Sequence, residues 1–277
     1  AFGTDSVVPY YNIGTGNPPY RVVQNAISRI GTAAKYSIAS NYRSLYFLGS
    51  DLNVYRIGGI QAEPIGNPAI TNEIRGYANP ENAYAVCFTF DSQNYYMLTF
   101  PGESTWLYSE GLGWTNLAYG TNGDPHLIYD YCYCYNKHLV QDRRSGHIYE
   151  LDFDTYTDNG DVIDRQRDTI KISGKDFQAP GKEIYMHSLE LVVETGTGII
   201  TGQGSNPKVM MSFSDDGGRT WSPEQWSEFG VMGSFTYSQN PRWFDLGSFY
   251  ERLFRFRVSD PVKFAIISAN ADIEIAV

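Results

Sequence analysis

One stretch decides the fold of this chain: Ser214-Asp215-Asp216-Gly217-Gly218-Arg219-Thr220-Trp221. It has the pattern S-x-D-x-G-x-T-W, which is called an Asp-box. The short carboxylate of Asp216 can accept hydrogen bonds from nearby backbone N–H groups, and the two glycines after it can take the positive φ of a tight hairpin. We expect Val209–Phe213 to form the incoming strand, and Thr220 and Trp221 to begin the returning one. The pattern predicts a strand–turn–strand unit typical of β-propellers and β-sandwiches.

Two roles are open for this turn. In the first, Ser214, Asp216, Gly218, Thr220 and Trp221 are structural turn residues, and the indole ring lies over the hairpin with its N–H free to find a partner. In the second, the same turn binds a ligand. It contains no nucleophile and no acid–base pair, so it does not indicate an enzyme.

Strands are predicted along the whole chain, among them hairpins over residues 44–57 and 84–100, the second with a turn at Asp91–Asn94, and strands near residues 234–238 and 262–269. Aromatic residues make up 15% of the 277 residues, and short aromatic-rich runs alternate with turns containing Gly or Pro. Asn67 and Pro68 predict one short helix over residues 69–75, which ends at Gly76. The length allows one large all-β domain or two smaller ones.

Three segments resemble one another: LYFLGSDLNVYRI from Leu45, YYMLTFPGESTWLY from Tyr95 and HLVQDRRSGHIYEL from His138. They start about 40 to 50 residues apart, which is the spacing of propeller blades. We therefore predict an all-β chain with propeller-like blades over residues 1–155, incomplete at the N-terminus. An antiparallel β-sheet or sandwich region that carries the single Asp-box hairpin is predicted over residues 156–277.

The charge and the apolar pattern disfavour several functions. The net charge is -10 and the pI about 4.8, which disfavours sequence-specific nucleic-acid binding because the surface repels phosphates. No apolar run reaches the length of a membrane span, and no signal peptide is visible. The three cysteines form no even disulfide framework, which fits assembly in a reducing cytosol.

Two patterns are partly similar to metal sites. Cys132 and Cys134 share a strand face, where they are either buried thiols or a metal pair. The segment Asp152–Asp161 is either a solvated turn or a calcium loop, but Tyr156 stands where a third oxygen ligand is needed. We assign no metal or cofactor residue.

No catalytic residue is assigned either. The chain lacks the G-x-S-x-G, H-E-x-x-H and Cys–His signatures. Asp-boxes are found in sialidases, which also need an arginine cluster and a tyrosine nucleophile with an acidic partner. This chain has one full Asp-box, where sialidases usually have several.

Several runs, in one order, resemble the packaged-DNA stabilisation proteins of short-tailed bacteriophages, a tail-hub or head-completion family. The resemblance covers most of the chain and is strongest from Leu98 to Lys263. The runs are LTFPGESTWLY (Leu98–Tyr108), KHLV and SGHIYELD (Lys137–Asp152), TYTDNG (Thr155–Gly160), LEL and ETG (Leu189–Gly196), TGQGSNPKVMM (Thr201–Met211), SDDGGRTWS (Ser214–Ser222) and FRFRVSDPVK (Phe254–Lys263).

The resemblance implies a structural component of the virion tail, made in the host cytoplasm, without catalytic residues. Such a protein binds below the portal and adaptor rings as a homo-oligomeric ring, helps to close the exit channel on packaged DNA, and supports other tail proteins. Family members usually have more propeller-like sequence before the point where Ala1 stands, so we expect this chain to be a C-terminal portion. The alternative is a glycan-binding or sialidase-like β-propeller tail protein whose Tyr and Trp side chains stack on sugars.

Overall fold

The computed structural model describes residues 1–152, 154–233 and 240–276. Its contacts divide the chain into two compact units, Ala1–Asp152 and Phe153–Val277. Strands dominate both units, so the predicted all-β class is confirmed. Among the described residues, no helix is long and apolar enough to cross a membrane.

The N-terminal unit contains one α-helix and a series of short antiparallel strands. They are β1 (Tyr10–Asn12), β2 (Tyr20–Val22), β3 (Ala39–Ser40), β4 (Leu45–Leu48), β5 (Val54–Ile57), β6 (Glu63–Pro64), α1 (Pro68–Gly76), β7 (Tyr84–Phe90), β8 (Gln93–Phe100), β9 (Ser104–Ser109), β10 (Gly113–Tyr119), β11 (Asp124–Pro125), β12 (Ile128–Cys134), β13 (Lys137–Asp142) and β14 (Ile148–Glu150).

Consecutive strands of this unit form successive antiparallel sheets, as blades do: β3 to β6, β7 to β11 and β12 to β14. The first strands of neighbouring sheets, β3 with β7 and β7 with β12, lie in contact. Strand β8 is buried on both faces. Tyr96, Leu98 and Phe100 pack toward the first sheet and α1, whereas Met97 packs toward the third. The period of two therefore lets one strand serve two cores.

Local signals explain the helix and the hairpins of this unit. The Asn67 side chain accepts a hydrogen bond from the Ile70 N–H at 2.9 Å, so Asn67 caps α1 as predicted. The predicted hairpins β4–β5 and β7–β8 are also present. The turn of the second hairpin is shorter than the predicted Asp91–Asn94, because Asp91 and Ser92 both take positive φ and close a two-residue turn.

The C-terminal unit contains β15 (Thr157–Asp158), β16 (Asp161–Val162), β17 (Arg165–Asp168), β18 (Ile172–Ser173), β19 (Ile184–Val193), β20 (Lys208–Ser214), β21 (Gln225–Glu228), β22 (Arg242–Phe249), β23 (Glu251–Val258) and β24 (Ile266–Ile275). One sheet has the order β22–β19–β24, and another has β17–β23–β20–β21, with β18 also paired to β23. Their apolar faces share one core.

A β-bulge in strand β19 keeps its apolar side chains directed at this core. Ile184 and Met186 are buried before a β-bulge at residues 186–188, and Leu189, Leu191 and Val193 are buried after it. The extra residue changes the parity of the buried positions, so apolar side chains on both sides of the bulge reach the same core.

Two strand predictions in this unit are wrong in position. The strand predicted over residues 262–269 is β24, which begins at Ile266 and follows a loop that contains the buried Val262. The strand returning from the Asp216 turn begins at Gln225, because Thr220 still belongs to the turn and Pro223 cannot donate to a ladder. A further strand, expected near residues 234–238, lies outside the described residues.

Candidate functional site

The turn at Ser214–Ser222 is a dense hydrogen-bonded unit centred on Asp216. Asp216 Oδ1 accepts the backbone N–H groups of Arg219 and Thr220, both at 2.9 Å, and the Ser214 hydroxyl at 2.8 Å. Asp216 Oδ2 accepts the Thr220 hydroxyl at 2.6 Å. The Gly218 N–H donates to Ser214 Oγ at 2.8 Å, and Gly218 has a φ of +90°, which a residue with a Cβ adopts only with strain.

The predicted turn residues therefore lie together, and four of them join in one network. The hydroxyl of Thr220 and then its backbone N–H, with further donors in the turn, hold the pKa of Asp216 well below its usual range. A carboxylate in this state is ionised at neutral pH and fully occupied as an acceptor. Its chemistry is that of a turn organiser, and it is unsuited to act as a proton donor.

We expect Asp216→Asn to lower the melting temperature of the C-terminal unit at pH 7, because an amide nitrogen cannot accept the Thr220 hydroxyl. The folded-state pKa is depressed, so the stabilisation is present above the ordinary value of 3.8 and is lost as the pH falls below it toward the folded-state pKa. Calorimetry from pH 7 to pH 2 should show the gap between variant and wild type closing below pH 3.8.

Asp272→Asn is the matched control for this prediction. Asp272 lies exposed on β24, and its carboxylate forms no bond to the part of the chain that the structure describes. Its melting temperature should follow that of the wild type at every pH. A gap for Asp216→Asn that stays constant down to pH 2 would contradict the assigned role of the carboxylate.

Trp221 is half-buried beside this turn. An added Cβ on Gly218 would lie 3.7 Å from its ring, so the indole adjoins the hairpin. The guanidinium of Arg255 lies over the ring, 3.8 Å from the ring centre. Arg255 also forms a bidentate pair with Asp168, at 2.9 and 2.8 Å. The ring thus links the turn to β23 and β17.

The sequence analysis did not find an ion pair next to the turn, in which the arginine is buried and the aspartate is partly exposed. Arg252 has 3% of its side chain exposed and binds Asp215 through two hydrogen bonds of 2.6 and 2.7 Å. Its guanidinium stacks between the rings of Phe213 and Phe249, at 4.0 and 4.2 Å. It also donates to the Leu246 carbonyl oxygen at 2.5 Å. Through this pair, Asp215, the first residue after β20, is bound to an arginine of the sandwich core.

The alternation of residues along β23 contains a signal for the buried arginine of this pair. Arg252 shares the parity of Phe254, Phe256 and Val258, which all face the core. An arginine at a core-facing position requires an acceptor for its charge. The pattern does not say which carboxylate supplies it.

The N-terminal unit has an open cleft of about 540 Å³ where β7 and β12 lie close together. The Tyr131 hydroxyl is 2.7 Å from His138 Nδ1, and Phe88 stacks near Tyr131. Asp91 is the one carboxylate in the described lining, which contains no arginine. This lining therefore has neither the carboxylate pair of a glycosidase nor the arginine cluster of a sialidase.

The two segments considered for a metal site lie in strands or hairpins of the described chain. The segment around Asn159 and Gly160 forms the small hairpin β15–β16. Within residues 1–152, 154–233 and 240–276, no group of three His, Cys, Asp or Glu side chains could hold a metal ion. Cys132 is exposed and Cys134 is half-buried, so the alternative of two buried thiols is wrong. Alternation along β12 turns Cys132 away from the core that receives Tyr131.

Two family models match the chain. The model described as "Bacteriophage P22 Gp10, beta-propeller" matches residues 1–156, and the model described as "Bacteriophage P22 Gp10, beta-sandwich" matches residues 169–274. They confirm the predicted fold class of propeller-like blades followed by a sandwich. A search of the curated proteins finds no match. A solved structure titled "Glycoside hydrolase" is 10% identical, with 97% of this chain and 80% of that chain covered, and its TM-score of 0.24 is too low to carry an argument.

Proposed function

Because the chain belongs to the bacteriophage P22 Gp10 family and is a structural tail protein of a phage, we propose that it acts as a tail hub. In this role it binds below the portal and adaptor rings, helps to close the exit channel and carries other tail proteins. The observation that carries the proposal is the pair of family matches along both halves of the chain. We propose that the chain catalyses no reaction.

The charge of the chain supports closure by protein rather than by contact with DNA. With a net charge of -10, a channel wall made from this chain repels the phosphate backbone. Packaged DNA is then retained because protein contacts block the exit. This mode of closure needs no sequence-specific nucleic-acid site.

Exposed tyrosines on the N-terminal unit support a role in assembly. Tyrosine is enriched at protein interfaces because it combines a large apolar ring with a polar hydroxyl. Eight tyrosines among the described residues of this unit are at least half exposed: Tyr10, Tyr11, Tyr20, Tyr36, Tyr42, Tyr129, Tyr133 and Tyr135. We propose that these rings bind the portal–adaptor assembly or neighbouring copies of the chain.

The same negative charge sets the order of assembly that we propose. Copies that each carry a charge of -10 repel one another, so a ring does not form readily from free chains. A cyclic ring also needs contacts between two different faces of each copy. The portal–adaptor complex supplies additional contact area and acts as the template.

Analytical ultracentrifugation tests this order of assembly. The protein alone should sediment as a monomer or a weak oligomer at low salt, and it should co-sediment in several copies once portal–adaptor complexes are added. Higher salt should favour self-association slightly, because it screens the repulsion. A stable dimer that ignores portal–adaptor complexes would contradict the hub assignment.

A further inference from the structure

Trp226 lies exposed on the outer surface of the sandwich. It lies on β21 directly opposite Met210 of β20. The alternate residues Val209 and Met211 fill the core, so the side chains of Met210 and Trp226 lie on the opposite face of the sheet, where Met210 is covered and Trp226 is exposed. Trp226 is 63% exposed, and its indole N–H has no hydrogen-bond partner in the described part of the chain.

The other tryptophans of this unit are used inside the fold. Trp243 is buried and its indole N–H donates to the Gln225 carbonyl oxygen at 2.9 Å. Trp221 is covered by Arg255. The Lys208 ammonium lies 6.0 Å from the centre of the Trp226 ring, a looser contact than that of Arg255 with Trp221, so Trp226 still presents a large flat apolar surface to solvent.

A cleft of about 430 Å³ opens beside this ring, within the range of small-molecule sites. The loop over residues 202–206 forms its rim. Gly204 packs closely against Val262, because an added Cβ on Gly204 would lie only 2.8 Å from the Val262 side chain. The Gly204 carbonyl oxygen accepts the Ile199 N–H at 2.9 Å, and the Ser205 N–H donates to the Gly202 carbonyl oxygen at 3.1 Å. These hydrogen bonds order the rim in the absence of a ligand, so the rim is preformed.

Polar side chains with unused hydrogen-bonding groups line the same cleft as the ring. Asp260 Oδ2 accepts the Lys208 N–H at 2.9 Å, whereas Oδ1 of this cleft residue has no hydrogen-bond partner among the described residues. Gln203 donates to the Ser259 carbonyl oxygen at 3.4 Å, and its amide oxygen has no described partner. Asn206 makes no side-chain hydrogen bond to the described residues. An amide supplies both donors and an acceptor.

We propose that this cleft binds a neutral pyranose oligosaccharide, with one sugar ring stacked on Trp226. A pyranose has an apolar C–H face bordered by hydroxyl groups. The indole matches that face, and the amides of Gln203 and Asn206 with the Asp260 carboxylate match the hydroxyls. A phosphorylated or otherwise anionic ligand fits poorly, because Lys208 already pairs with Glu228 at 3.5 Å and the chain is acidic. This inference does not depend on the hub role.

Saturation-transfer NMR with the full chain and four neutral disaccharides tests the proposal: maltose, cellobiose, lactose and diacetylchitobiose. At least one should bind with a Kd of roughly 0.1–10 mM and should alter tryptophan fluorescence. Trp226→Ala should weaken that binding about tenfold or more, as loss of a stacking platform does. Asn206→Ala should weaken it several-fold, and this exposed residue gives a second variant if Trp226→Ala folds poorly.

Phe244→Ala is the matched control, because Phe244 is an aromatic residue of the same unit with 64% exposure that lies outside the cleft lining. Its binding should equal that of the wild type. Absence of binding for all four disaccharides overturns the proposal. Binding that survives Trp226→Ala and Asn206→Ala, or that Phe244→Ala lowers equally, overturns it as well.

Discussion

Replacing Asp215 with alanine should destabilise the C-terminal unit by about 3 kcal/mol, because it removes the partner of a buried charge. Arg252 is 3% exposed and cannot return to water without leaving its place between Phe213 and Phe249. The Leu246 carbonyl oxygen still accepts one bond from it, but no anion remains. We place the loss at the lower end of the usual range because Asp215 is 45% exposed, so water can enter where its carboxylate stood.

Urea unfolding, with hydrogen exchange of the β20 and β23 amides as the local readout, measures this loss. The matched control is Asp168→Ala, which breaks a bidentate pair of the same geometry whose partners are 27% and 37% exposed. It should cost about 0–1 kcal/mol.

A double variant sharpens the test of Arg252. In Asp215→Ala with Arg252→Met, an apolar side chain of similar length replaces the unpaired cation between the two rings. Most of the stability lost in Asp215→Ala should return, since a buried pair replaced by apolar groups is often neutral. Equal losses for Asp215→Ala and Asp168→Ala, with no recovery in the double variant, would show that burial of Arg252 has no energetic importance.

Tyr96→Ala should destabilise the N-terminal unit by about 3–5 kcal/mol, as truncation of a buried aromatic ring does. Tyr96 is fully buried, stacks on Tyr46 at a centroid distance of 4.9 Å, and donates its hydroxyl to the Ser37 carbonyl oxygen at 2.8 Å. Burial raises the pKa of Tyr96 well above its ordinary value, so the hydroxyl stays protonated as a donor at neutral pH.

Two further variants divide this effect into packing and hydrogen bonding. Tyr96→Phe keeps the ring and should cost only about 1–2 kcal/mol, from the unsatisfied carbonyl oxygen of Ser37. Tyr42→Ala removes a tyrosine that is 96% exposed and should change stability by less than about 0.5 kcal/mol. Thermal melts with hydrogen exchange at β8 measure all three. A Tyr96→Phe loss as large as that of Tyr96→Ala would contradict the packing account.

Much of the fold follows from local signals in the sequence. Asn67 and Pro68 set the start of α1, because capping needs only neighbouring residues. The hairpin strands β4, β5, β7 and β8 follow from alternating aromatic residues and turn chemistry. The network around Asp216 is local as well, since its acceptors and donors lie within a few residues.

The features that escaped prediction depend on contacts distant in sequence. Pairing of Asp215 with Arg252 spans 37 positions and requires the antiparallel register of β20 and β23. Strand β21 starts later than predicted because the Thr220 N–H is still hydrogen-bonded to Asp216 within the turn. Trp226 is exposed because the other face of β21 packs on the core. The apolar pattern of an edge strand does not by itself show which of its two faces is buried.

Electron microscopy of portal–adaptor complexes incubated with this protein tests the central claim most directly. The hub account predicts a closed ring of added density beneath the adaptor, composed of propeller and sandwich units, that narrows or blocks the exit channel. Complexes that lack this density, or that bind the protein only at scattered positions away from the channel, would contradict the account.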